Sequence, residues 1–103
     1  MEVYFINNNL EKLYVGLPVS GKLKYNREVI EKFRMKVDIL KNAENTIELR
    51  NIRSLNFEAL KGNKKGLYSI RVDLKYRLEF SIEKNKISLS EIIFIGDLSN
   101  HYK

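Results

Sequence analysis

An α+β domain, with helices laid against one face of a mainly antiparallel sheet of four or five strands, is the fold this sequence predicts. Helical periodicity is confined to the first half of the chain, and after Leu55 the texture changes to β-branched and aromatic runs separated by short turns. Length sets the scale: 103 residues suffice for one domain, taken as residues 1–103.

Val3, Tyr4, Phe5 and Ile6 are β-branched or aromatic and read as a short strand. Asn9 is placed to cap a helix whose apolar positions Leu10, Leu13, Tyr14 and Leu17 follow the i, i+3, i+4, i+7 pattern, with Gly16 and Pro18 ending it. The clearest helix runs from Arg27 to Lys41. Asn26 is its N-cap, Glu28 and Glu31 lie toward the positive end of its dipole, and Ile30, Phe33, Val37 and Leu40 form its apolar stripe. Tyr25 and Ile30 occupy the two positions of a hydrophobic staple, and the polar run Asn42 to Asn45 stops the helix. Asn45 with Glu48 fits a capping box, so Thr46 to Arg50 reads as one more helical turn, although Ile47 and Leu49 also suit a strand.

Four strands follow: Asn56 to Leu60, Leu67 to Val72, Tyr76 to Ile82 and Ile87 to Ile95. The breaks at Gly62 to Gly66, Asp73 to Lys75 and Glu83 to Lys86 are short enough for antiparallel hairpins. Alternation assigns the faces. Tyr76, Leu78, Phe80 and Ile82 point to the core with Tyr68, Ile70 and Val72, which sends Ser69, Arg71, Arg77, Glu79 and Ser81 outward. Across Asp73 to Lys75, Val72 pairs with Tyr76, so Arg71 stands opposite Arg77. Ile92 to Ile95 is apolar at both parities, the pattern of a strand covered on both faces.

Composition narrows the function. Nineteen Lys and Arg against 13 Asp and Glu give a formal charge of +6, which points to an anionic partner. The absence of Cys excludes a disulfide framework, a thiolate zinc site and a cysteine nucleophile. No apolar run approaches the roughly 18 residues of a membrane span, and Asn7 to Asn9 interrupt the N-terminus where a signal peptide would stay apolar, so a cytoplasmic protein without membrane contact is expected. One His excludes a two-histidine ribonuclease mechanism, and neither a Gly-rich phosphate loop nor a G-x-S-x-G elbow occurs. Metal-ligand spacing is also absent, so no metal or other cofactor is expected.

Opposed arginines repel each other by some tenths of a kcal/mol at an exposed site. Either Glu79 and other acids screen them on an ordinary solvated face, or Arg71 and Arg77 form an anion site, since guanidinium forks match phosphate oxygens. Lys61, Lys64 and Lys65 in the neighbouring turn are either a soluble loop or part of that patch. His101 near the terminus is either an exposed side chain or a catalyst, with Asp97 and Asn100 in the same segment.

The run from Glu58 through Leu60-Lys61-Gly62, Gly66 and Tyr68-Ser69-Ile70-Arg71 to Tyr76-Arg77-Leu78-Glu79-Phe80 resembles the HigB branch of the RelE superfamily, toxins of type II toxin-antitoxin modules. Leu10 to Tyr14 and Ser20-Gly21 before the long helix are also similar, so the resemblance spans nearly the whole chain. It implies a RelE-like fold and a metal-independent, ribosome-dependent endoribonuclease that cuts mRNA and inhibits translation. It also implies a helix-turn-helix, HigA-like antitoxin, with operator DNA bound only through the antitoxin complex. Lys61 and Arg77 match family positions that stabilise charge at the reacting phosphate. His101 is the candidate for a proton transfer and Tyr102 for orienting or stacking the substrate. Arg71, Lys64, Lys65, Glu58 and Asp97 are the candidate substrate contacts. Many relatives end in an acid followed by Tyr-His, whereas this chain reads Asp97-Leu98-Ser99-Asn100-His101-Tyr102, and several have His where Glu58 stands.

Two other classes use the same charge. A non-catalytic RNA- or ribosome-binding module would bind by the same neutralisation. A small DNA-binding regulator is disfavoured, because no helix-turn-helix is visible and the long helix interleaves its bases with Glu28, Glu31 and Asp38.

Overall fold

A computed structural model describes residues 1–19, 21 and 24–100, and among them eight α-helices and β-strands are formed. They are β1 (Glu2–Phe5), α1 (Asn8–Val15), α2 (Arg27–Asn42), α3 (Thr46–Asn51), β2 (Glu58–Ala59), β3 (Tyr68–Arg71), β4 (Tyr76–Lys84) and β5 (Glu91–Asn100). His101 and Tyr102 lie outside the described residues.

The helices start where side chains take up the orphan amide groups of the first turn. Three asparagines in a row leave the first cap ambiguous in sequence, and Asn7 fills it in place of Asn9: its Oδ1 accepts from the amides of Asn9 and Leu10. Gly16 closes α1 in the left-handed region, so Leu17 falls beyond the helix and is exposed. Asn26 accepts from Val29 N at 2.9 Å, and the stripe of Ile30, Phe33, Val37 and Leu40 is buried as expected, joined by Val29. Asn45 caps α3 through Glu48 N, while Glu48 reaches back to the amide of Glu44. Thr46, almost fully buried, donates from both backbone and hydroxyl to Glu91, which fastens α3 to the start of β5.

The sheet order is β1-β5-β4-β3-β2, with β1 parallel to β5 and every other pair antiparallel. The core lies between the helices and one sheet face, where Phe33, Val37 and Leu40 of α2 join Ile70, Leu78, Phe80, Ile93 and Ile95, all fully buried. Arg34 Nε donates to Leu13 O at 2.8 Å and locks α1 onto α2.

Two strands differ from their expected spans for local reasons. β5 begins at Glu91, because Asn85 Oδ1 accepts from the amides of Ile87 and Ser88 and turns that stretch, leaving Ile87 95% exposed. β5 also continues to Asn100, through an irregularity opposite Glu79 and Phe80 that fits Gly96 into the ladder. β2 shrinks to two residues: Arg53–Leu55 forms a 3-10 turn that buries Leu55, and Asn56 follows in the left-handed region at φ 46°. On the second face of the sheet Ile92 and Phe94 are only half-buried, Phe94 stacking on Tyr4 at 5.6 Å, so covering there is partial.

Candidate functional site

The site belongs to the sheet face turned away from the helices, and strand register assembles it. Arg71 pairs with Arg77 as the alternation requires, Ser69 with Glu79 and with Glu58 on its two sides, Glu79 with Asp97, and Arg77 with Ser99. Each of these lies one pleat away from a core residue, so packing of the opposite face fixes their spacing.

Solvation of this face differs from the sequence expectation. Arg77 is 4% exposed, Glu79 6% and Ser69 fully buried. The Arg77 guanidinium donates from Nε to Ser69 Oγ at 2.8 Å and from Nη2 to the backbone oxygens of Asn56 and Ser69, with Glu58 Oε1 3.5 Å from Nε. These partners offset repulsion from the half-buried Arg71. The left-handed turn at Asn56 has a function here, because it aims the Asn56 carbonyl at Arg77. Glu58 itself remains 43% exposed at its side chain, a carboxylate facing water with a fixed cation behind it.

A second ionic pair sits one pleat along β4. Glu79 Oε2 accepts from Lys64 Nζ at 2.8 Å and from Ser99 Oγ at 2.6 Å. Glu79 is therefore a buried acceptor in a network, in place of a surface screen for the arginines. Its sequence signal was weak, a charged residue at an alternating position; what marks it in the structure is its burial and its partners. Lys64 comes from the turn at Gly62–Lys64, whose flanking glycines Gly62 and Gly66 hold φ 67° and 97°, values that strain any other residue, although open space surrounds both. Lys61 and Lys65 are exposed on either side of that turn, and among the described residues their side chains form no hydrogen bond or ion pair.

Beside Lys64 opens a cleft of about 530 Å³ lined by Tyr25, Tyr76, exposed Asp97 and Ser99. Tyr25 donates its hydroxyl to Leu98 O at 2.8 Å and meets Tyr76 edge-on at 5.5 Å, so its ring is fixed. Burial, followed by the nearby Asp97 charge, raises the Tyr25 phenol above its ordinary 10.0. The hydrogen bond to Glu79 raises the Lys64 ammonium above 10.5, against a smaller opposing effect of burial. Both folded-state values lie above the unfolded ones. The stabilisation is therefore complete below the unfolded values and is lost as pH rises through the folded ones. Thermal unfolding midpoints should accordingly decline above about pH 10, and Tyr25→Phe should remove part of that decline.

Among the described residues no group of three His, Cys, Asp or Glu is placed to hold a metal ion, and no helix is long and apolar enough to cross a membrane. The structure thus brings Glu58, Arg71 and Arg77 together, links Lys64 to Ser99 through Glu79 with Asp97 at the register position opposite Glu79, and leaves Lys61 and Lys65 on the adjoining turn.

Comparison with known proteins gives the arrangement a family. The fold is similar to that of a YoeB/ParE toxin from Agrobacterium tumefaciens, at 15% identity and a TM-score of 0.59, covering 99% of this chain and 100% of that one. It is also similar to the toxin of a YoeB-YefM complex from Staphylococcus aureus, at 23% identity and 0.59 over 99% and 98%, and to a YoeB dimer from the same organism at 23% and 0.54 over the same shares. No match was found among curated proteins. The family model for the HigB-like toxin, a RelE-like toxin of the type II toxin-antitoxin system, matches residues 4–91. With that match over most of the chain, and with an α+β sheet of the RelE type beneath it, the protein belongs to the HigB-like toxins of the RelE superfamily.

Proposed function

We propose that this toxin is a metal-independent endoribonuclease that cuts mRNA on the ribosome and so inhibits translation. The observation that carries the reading is the Glu58–Arg77 pair: a half-exposed carboxylate held 3.5 Å from a guanidinium that the sheet itself immobilises.

Cleavage of RNA needs no metal when the nucleophile is internal. The 2′-oxygen attacks the adjacent phosphorus, the bond from phosphorus to the 5′-oxygen breaks, and a 2′,3′-cyclic phosphate and a 5′-hydroxyl result. Glu58 takes the 2′-hydroxyl proton as general base, and His101 returns a proton to the leaving 5′-oxygen. Negative charge grows on the phosphorane, so cations fixed beforehand stabilise the transition state more than the ground state. Exposed Lys61 contacts that charge directly, and Arg71, farther along β3, adds a second cation to the same face. Arg77, buried, holds Glu58 and supplies a fixed positive field. Lys64 and Lys65 engage flanking phosphates, Asp97 lines the substrate cleft, and Tyr102 orients or stacks on a base.

The partners follow from the family. The Staphylococcus aureus toxin with a similar fold is found complexed with YefM, which supports an antitoxin for this chain too. A HigA-like helix-turn-helix protein is the expected form, with operator DNA bound only by the complex. The toxin acts in the cytoplasm, where its ribosome and message are.

Primer extension on a translated message tests the reading. Codon-phased 5′ ends are expected with ribosomes and none without them. Stalled translation with no new ends would instead identify a binding module that does not cut.

A further inference from the structure

Glu79 is absorbed neither by the core nor by the Glu58–Arg77 pair. Burying a carboxylate is costly unless it is paired and hydrogen-bonded. Here the cost is offset by a lysine from outside the sheet, at 2.8 Å, and by Ser99 of the neighbouring strand, at 2.6 Å. The pair is lopsided: the carboxylate side chain is 8% exposed and the Lys64 side chain 47%. An ammonium has three donors, and a single hydrogen bond, to Glu79, is formed by this one among the described residues. Its remaining face borders the 530 Å³ cleft that Tyr25, Tyr76 and Asp97 line. A free surface lysine would have to surrender its rotamer freedom on meeting a substrate; this one is already ordered.

We propose that Glu79 is a positioning residue, holding the Lys64 ammonium at the mouth of the cleft to receive the phosphate of the nucleotide that flanks the cut. The inference rests on the nuclease reading above and deepens it. The paired charges nearly cancel at a distance, so Glu79 contributes orientation more than attraction, and its effect belongs in the rate.

Single-turnover cleavage of a translated message on programmed ribosomes, with thermal unfolding measured in parallel, tests this. Glu79→Gln keeps every cation and should cut about tenfold more slowly than wild type. The double variant Lys64→Met with Glu79→Gln removes both charges at once, so no lone carboxylate stays buried. Its unfolding midpoint should lie within about 4 °C of wild type, while its cleavage stays at least about tenfold slower. Lys64→Arg, a cation long enough to reach Glu79, should recover at least about a third of the rate. Wild-type cleavage by Glu79→Gln would overturn the proposal. So would recovered cleavage in the neutral double variant, which would make the pair a structural tether for the turn, or failure of Lys64→Arg to cut better than that variant. If the wild-type protein leaves the message intact, the nuclease reading itself fails and the positioning role falls with it.

Discussion

Lys61→Ala should cut a translated message about a hundredfold or more slowly than wild type while unfolding at the same temperature. The side chain is exposed and, among the described residues, unbonded, and its backbone at φ −123° and ψ 175° is open to any residue. Truncation at such a site changes stability by no more than about 0.5 kcal/mol. The loss in rate comes from the transition state, where removing one donor from a growing anion costs about 2.7–4 kcal/mol, or a factor of about 100 to 1,000. Induction of the variant should no longer arrest growth. Undiminished toxicity from a folded, normally expressed Lys61→Ala protein would remove Lys61 from the site.

Arg77→Ala should fail on both counts, and that contrast separates the two cations. Removing the guanidinium strands Ser69 Oγ and the Asn56 carbonyl without their donor and leaves Glu58 without its cation. Breaking a buried charged network of this kind costs about 3 kcal/mol, readable as a lowered urea midpoint with unchanged slope. Cleavage should fall with it, because Glu58 loses its orientation. Arg77→Lys restores the charge but not the planar fork that spans Ser69 and Asn56, so stability should recover only in part. An Arg77→Ala protein as stable as wild type would mean that the network contributes nothing to the fold.

Much of this architecture is legible in the sequence. The long helix was readable because its stripe and its cap agree, and the Arg71–Arg77 pairing because a short connection and strict alternation leave one register. The burial of Arg77 is invisible in the sequence for a physical reason. Alternation tells which face a side chain joins, but not what lies over that face, and the cover here comes from the left-handed turn at Asn56, which no periodicity announces. The same limit hid Glu79, whose meaning depends on Lys64 fifteen residues earlier and Ser99 twenty residues later. β5 starts later than its apolar pattern suggests because Asn85 takes two amides that the sequence after it would otherwise give to a strand. His101 and Tyr102, which the sequence nominates for catalysis, lie outside the described residues.

The parallel pairing of β1 with β5 bears on how the toxin comes into being. Glu2 finds its partner in Ile92, a loop of roughly ninety residues whose closure entropy must be met before the pair forms. β5 is also an interior strand, gripped by β1 on one side and by β4 on the other. During vectorial synthesis β1 stays apart from the rest of the sheet until nearly all of the described chain has been made. Ser99 and Asp97 reach the site only then. The site's last two strand residues are thus expected to be put in place by the slowest pairing of the sheet, so that a chain without β5 carries its basic turn but not the acceptors beside it.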